Sequence, residues 1–147
     1  MCNCGWRGNY IQRGDKTVKC FIVDDSPIYI EIVTAAISDF CTDIESSISP
    51  NYAISKIIKF NPDVIVLDYV MPEKSGLELA KEISENSEIN HIPIIMVSGE
   101  NMVMKDYDCH DVDEFVSKSE SINTLKSTVR IFSNIGKINK ARKDIDG

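Results

Sequence analysis

Three stretches of this sequence, residues 18–23, 64–67 and 92–97, are apolar almost without a break and rich in Val and Ile. A strand with one wet face alternates apolar and polar residues, whereas a strand covered on both faces does not. These runs therefore call for the inner strands of a parallel sheet with helices on each side. A shorter run, Glu114-Phe115-Val116, extends the series, and residues 43–48 alternate as a weaker edge strand does.

Helical signals fall between the runs. Ser26-Pro27 reads as an N-cap followed by proline at the first helical position, with Ile30, Val33, Ile37 and Phe40 on one stripe. Ser49-Pro50 repeats that signal before Tyr52, Ile54, Ile57 and Ile58, and Asn61-Pro62 ends the pattern. Ser75 and Glu78 have capping-box spacing ahead of Leu79, Ala80 and Ile83. A short helix is expected over 102–109. The last helix carries Ile122, Leu125, Val129 and Phe132, then Ile135, with Gly136 as its expected stop. The pattern is β-α five times over, an α/β fold with a parallel sheet.

At 147 residues the chain is long enough for one domain with a proper core. We expect a flexible polar tail over 1–17, a folded domain over 18–136, and a charged tail or linker stub over 137–147. No apolar stretch is long enough to span a bilayer, and 1–17 has no hydrophobic signal core. The net charge of −7 argues against nonspecific nucleic-acid binding, which relies on Lys and Arg. The five cysteines, without a signal peptide, suit reduced thiols in a cytoplasmic protein. Cys2-Asn3-Cys4 has no second Cys/His pair at zinc-finger spacing.

In open α/β sheets, sites form outside the carboxyl ends of strands. Here the first strand ends in Asp24-Asp25, the third in Asp68, the fourth in Ser98 and the fifth in Ser117-Lys118. Taken singly these residues are ordinary: an Asp caps a helix, a Ser sits in a loop, a Lys is a solvated charge. Together they put three carboxylates and one ammonium at one sheet edge. Two negative charges remain uncompensated, and a divalent cation neutralises them. Mg²⁺ suits hard oxygen ligands best, and its free positions suit a phosphoryl oxygen.

The runs Val23-Asp24-Asp25-Ser26, Val66-Leu67-Asp68-Tyr69-Val70-Met71-Pro72, Met96-Val97-Ser98-Gly99 and Phe115-Val116-Ser117-Lys118 resemble the receiver domain of bacterial response regulators. The likeness extends from about residue 18 to about residue 135. It implies a doubly wound, five-stranded parallel sheet of flavodoxin-like order 2-1-3-4-5, with helices on both faces. It implies that Asp68 accepts a phosphoryl group from a sensor histidine kinase or phosphotransfer protein. Asp24, Asp25, Asp68 and the Val70 carbonyl would hold Mg²⁺, and Lys118 would neutralise the transferring oxygens. Ser98 would hydrogen-bond the phosphoryl group, Phe115 would repack as that hydroxyl moves, and Gly76 and Met71-Pro72 would shape the loop. The chain would catalyse its own Mg²⁺-dependent phosphorylation and dephosphorylation, but act mainly as a switch read by a downstream protein. Receivers often dimerise through the fourth and fifth helices, so a homodimer is a further implied partner.

Departures from the family pattern gather near the chain's end. Ser119 follows Lys118 where the family usually has proline after a cis bond, so this bond is either trans with a shifted loop or strained. Asp111 replaces a frequent glycine. Val70 and Glu100 occupy positions that tune phosphoryl loss, and valine orients no attacking water. Other readings are a pseudo-receiver that only binds proteins, a receiver fragment of a longer multidomain regulator, and a metal-dependent phosphatase or nucleotide-binding protein. The last lacks a glycine-rich phosphate loop after the first strand.

Overall fold

A computed structural model of the chain describes residues 17–99 and 110–146. In chain order its elements are β1 (Lys19–Val23), α1 (Pro27–Ile37), β2 (Asp43–Ser47), α2 (Ala53–Phe60), β3 (Val64–Asp68), α3 (Gly76–Ser84), β4 (Ile94–Ser98), β5 (Glu114–Ser117) and α4 (Ile122–Asp146). The helix expected over 102–109 lies outside the described residues. All strands are parallel, in the order β2-β1-β3-β4-β5. This is the expected 2-1-3-4-5 sheet, with β2 at its edge.

The continuous runs work as two-faced strands. Along β3, Ile65 and Leu67 pack with Ile57, Leu79 and Ile83 under α2 and α3. Val64 and Val66 face the other way, with Val33, Ile37, Leu125 and Val129 under α1 and α4. Each large aliphatic side chain buried this way contributes about 1.5–3 kcal/mol. Cys20 and Cys41 are free and buried in the second layer. Burial, ahead of the nearby Asp63 charge, pushes the Cys41 thiol up to about 11.

Two helix starts follow their local signals. Ser26 Oγ accepts the Tyr29 N–H at 3.2 Å, with Pro27 in the first turn. The Ser75–Glu78 capping box is complete in both directions. The start expected at Ser49-Pro50 is displaced. Ser49 Oγ accepts from Asn51 N–H instead, closing a turn, and Tyr52 stands in the left-handed region at φ 65°, so α2 begins at Ala53. Asn61, also left-handed at φ 52°, ends α2 as its Asn-Pro pair implied.

The stop expected at Gly136 is corrected: α4 runs on to Asp146. Gly136 is buried against Asp63, where a β-carbon would lie 1.7 Å from the Asp63 carbonyl oxygen. The glycine thus serves close packing rather than termination. Beyond it the helix is tied to the amino edge of the sheet. Lys140 Nζ lies 2.9 Å from Asp63 Oδ1 and donates to the Asn61 carbonyl at 2.7 Å. Lys137 Nζ lies 3.5 Å from Asp63 Oδ2 and also bonds the Thr17 carbonyl. Lys143 Nζ donates to the Ser87 and Glu88 carbonyls, and Asn139 Nδ2 to that of His91. Asp63 itself is 2 % exposed and accepts the Lys19 N–H at 2.9 Å. Among the described residues no helix is long and apolar enough to cross a membrane.

Candidate functional site

The parallel register carries the ends of β1, β3, β4 and β5 to one edge. Val23 pairs with Leu67, Asp68 with Val97, and Ser98 with Ser117. Chain reversal after each strand then places Asp24, Asp25, Asp68 and Lys118 together. Asp24 and Asp68 are buried, at 2 % and 5 % exposure, while Asp25 is exposed. One carboxylate oxygen from each of the three lies within 4.8 Å of the others. Lys118 Nζ bridges two of them, 3.0 Å from Asp24 Oδ2 and 3.4 Å from Asp68 Oδ1.

Asp24 also fixes the turn into α1, because its Oδ1 accepts the Ser26 N–H at 2.8 Å. Burial, then the Asp24 charge, pushes the Asp68 carboxyl up to about 6 against the opposing pull of Lys118. This is the electrostatic signature of a pocket short of positive charge. Three carboxylates at such spacing are a donor set that fits Mg²⁺.

The surrounding loops are held by the backbone. Lys118 N–H donates to the Ser98 carbonyl at 2.7 Å, joining β4 to β5 just beyond the sheet. Ser98 is 1 % exposed. Gly76 N–H donates to the Tyr69 carbonyl at 2.8 Å, closing the loop after Asp68 at its base. A β-carbon on Gly76 would stand 2.3 Å from the Asp68 carbonyl oxygen, so only glycine fits. Val70 is exposed, Met71 is buried, and Phe115 packs half-buried against the core beneath α2 and α3. The Lys118–Ser119 bond is trans, as every described peptide bond is. The following turn is closed by serines: Ser119 N–H donates to Ser117 Oγ at 3.1 Å, and Ser117 N–H to Glu120 Oε2 at 2.9 Å.

One neighbour of the pocket escapes a reading by motif. The Tyr29 ring centroid lies 4.3 Å from Lys118 Nζ. Burial, then the Asp24 and Asp68 charges, pushes its hydroxyl up to about 12. The available signal was positional: Tyr29 is the third residue of a capped helix that starts beside two acids.

The sequence profile of the response regulator receiver domain matches residues 20–130. The chain belongs to that family. Receiver domains serve two-component signalling. A probable cyclic di-GMP phosphodiesterase of Vibrio cholerae is 33 % identical over 127 residues, covering 84 % of this chain. The chain spans only 27 % of that protein's length. The chemotaxis protein CheY4 of Vibrio cholerae, a solved structure, is 25 % identical with a TM-score of 0.69, covering 79 % of this receiver and 98 % of CheY4. The response regulator TrrA of Thermotoga maritima, solved in complex with Mg²⁺-BeF, is 28 % identical with a TM-score of 0.71 and covers 79 % of this receiver and 99 % of TrrA.

Proposed function

We propose that this receiver accepts a phosphoryl group on Asp68 from the phosphohistidine of a sensor histidine kinase or phosphotransfer protein, and that the modified chain signals through a downstream protein. The observation that carries this reading is the buried Asp68 carboxylate, within 4.8 Å of Asp24 and Asp25 oxygens and bridged to Asp24 by Lys118. A buried carboxylate at a strand mouth, with spare negative charge beside it, is costly unless the site uses it.

Asp68 is the nucleophile: its oxygen bonds to phosphorus as the phosphorus–nitrogen bond of the donor breaks and the imidazole departs. Asp24, Asp25, Asp68 and the Val70 carbonyl would hold Mg²⁺, which would supply charge neutralisation at the phosphoryl oxygens. Lys118 adds a fixed positive charge where negative charge develops, which is most of what phosphoryl transfer asks of a protein. Ser98, at the end of the neighbouring strand, hydrogen-bonds the phosphoryl group once it is in place. Phe115 repacks as that hydroxyl moves and passes the change to the outer face of β5.

The test is labelling by acetyl phosphate, read by intact mass. One phosphoryl group should appear only with Mg²⁺ and not in Asp68→Asn. Labelling that survives Asp68→Asn, or an unlabelled native chain, would sink the reading. A pull-down with and without a beryllofluoride phosphoryl mimic tests the signalling half: a partner retained equally in both states means the chain is a passive binding module.

A further inference from the structure

Tyr29 has no part in the chemistry above, yet it touches the cation on which that chemistry depends. Its placement follows from the sequence. Ser26 caps α1 and Pro27 opens it, so Tyr29 falls at the third helical position with its N–H held by Ser26 Oγ. Helical side chains lean toward the amino end of their helix. The ring therefore falls back over the pocket rather than along α1, and packs against the core layer beneath α1 and α4.

Lys118 reaches the pocket from the opposite side, off the end of β5. Its ammonium meets Asp24 and Asp68 at 3.0 and 3.4 Å, and the face of Tyr29 at 4.3 Å. That is well inside the range of about 6 Å over which an ammonium is attracted to an aromatic face. The Lys118 side chain is 23 % exposed, and lysine's flexible stem gives the ammonium many other places to go. Asp68 changes when it takes a new group, whereas the Asp24 contact and the ring do not. The ring restricts the ammonium from a direction that the reaction leaves unchanged.

We propose that Tyr29 is a positioning residue for phosphoryl transfer: its ring keeps the Lys118 ammonium at Asp68 while charge builds on the phosphoryl oxygens. The inference rests on Asp68 being the phosphoacceptor. With acetyl phosphate, the Asp68 oxygen bonds to phosphorus as the bond to the acetyl oxygen breaks, acetate leaving with the electron pair. The ring face is what matters, and the hydroxyl is dispensable.

The experiment compares the full chain with Tyr29→Leu and Tyr29→Phe, using acetyl phosphate and Mg²⁺. Tyr29→Leu should lower the maximal labelling rate by about three- to tenfold, as expected for loss of one partly shielded cation–aromatic contact. The half-saturating acetyl phosphate concentration should stay put, and Tyr29→Phe should restore the rate. The Lys118 ε-methylene proton resonances should be shifted upfield by the ring in the native and Phe chains and not in the Leu chain. A native maximal rate in Tyr29→Leu, a Phe variant as slow as Leu, or a slow Leu variant with unmoved Lys118 resonances overturns the role of Tyr29. A native chain that takes no phosphoryl group overturns the phosphoacceptor reading itself, and the resonances still report the contact.

Discussion

Asp68 costs the folded chain stability at neutral pH. Its carboxyl stands at about 6 in the folded state, from burial and the Asp24 charge, against about 3.9 for an unfolded Asp. Between about pH 4 and about pH 6 the folded chain holds a proton that the unfolded chain has lost. Stability therefore falls as pH rises through that window, and the penalty is complete above it. Metal-free Asp68→Asn should be more stable than the native chain at pH 7, by roughly 1–2 kcal/mol once solvent screening is allowed for, and nearly equal to it at about pH 4. Urea denaturation across that range checks both limits, and a gap that persists at low pH contradicts the account. Added Mg²⁺ should narrow the gap at pH 7 by stabilising the native chain more. Val70, two residues on, is exposed and apolar, so it orients no water toward a phosphoryl group on Asp68. Val70→Asn should shorten the lifetime of the acyl phosphate several-fold, measured as loss of label after the donor is removed.

Among the helices, what was legible in the sequence was what is local. The caps of α1 and α3 involve residues three apart, and both formed as read. Gly136 shows the opposite case. A glycine ahead of a charged stretch reads as a helix end, because its reason for being there is the Asp63 carbonyl, just before the distant strand β3. Intrinsic propensity favours Ala over Gly by about 1 kcal/mol inside a helix. Gly136→Ala should nevertheless destabilise the chain by roughly 1–3 kcal/mol, since the added carbon forces α4 off β3. Thermal denaturation gives the sign directly, and a raised midpoint would show that the helix yields freely there. The start of α2 departs from its local signal for a related reason: the Ser49 hydroxyl closes a turn on Asn51 and also donates to Glu73, at 3.3 Å.

For the molecule as a whole, sheet and pocket were readable because continuous runs and strand-end acids are fixed by the chain itself. The lashing of α4 beneath the sheet was not, since Asp63 finds Lys137 and Lys140 only after folding. A chain lacking residues 137–147 should lose roughly 2–4 kcal/mol, because a buried carboxylate is left without its ammonium partners. Its pocket, at the other edge, should still take label from acetyl phosphate under conditions where the shortened chain is folded. A truncated chain as stable as the full one would mean that the lysines are ornament. The closed loop after Asp68 has a wider meaning. Tyr69 and Gly76 pinch its base, Gly76 lies flush on the Asp68 carbonyl, and Glu73 ties its tip to Ser49 and Asn51. A bulky group added to Asp68 gains no room on that side. That side of Asp68 is closed by backbone on backbone, and a side-chain change alone does not open it.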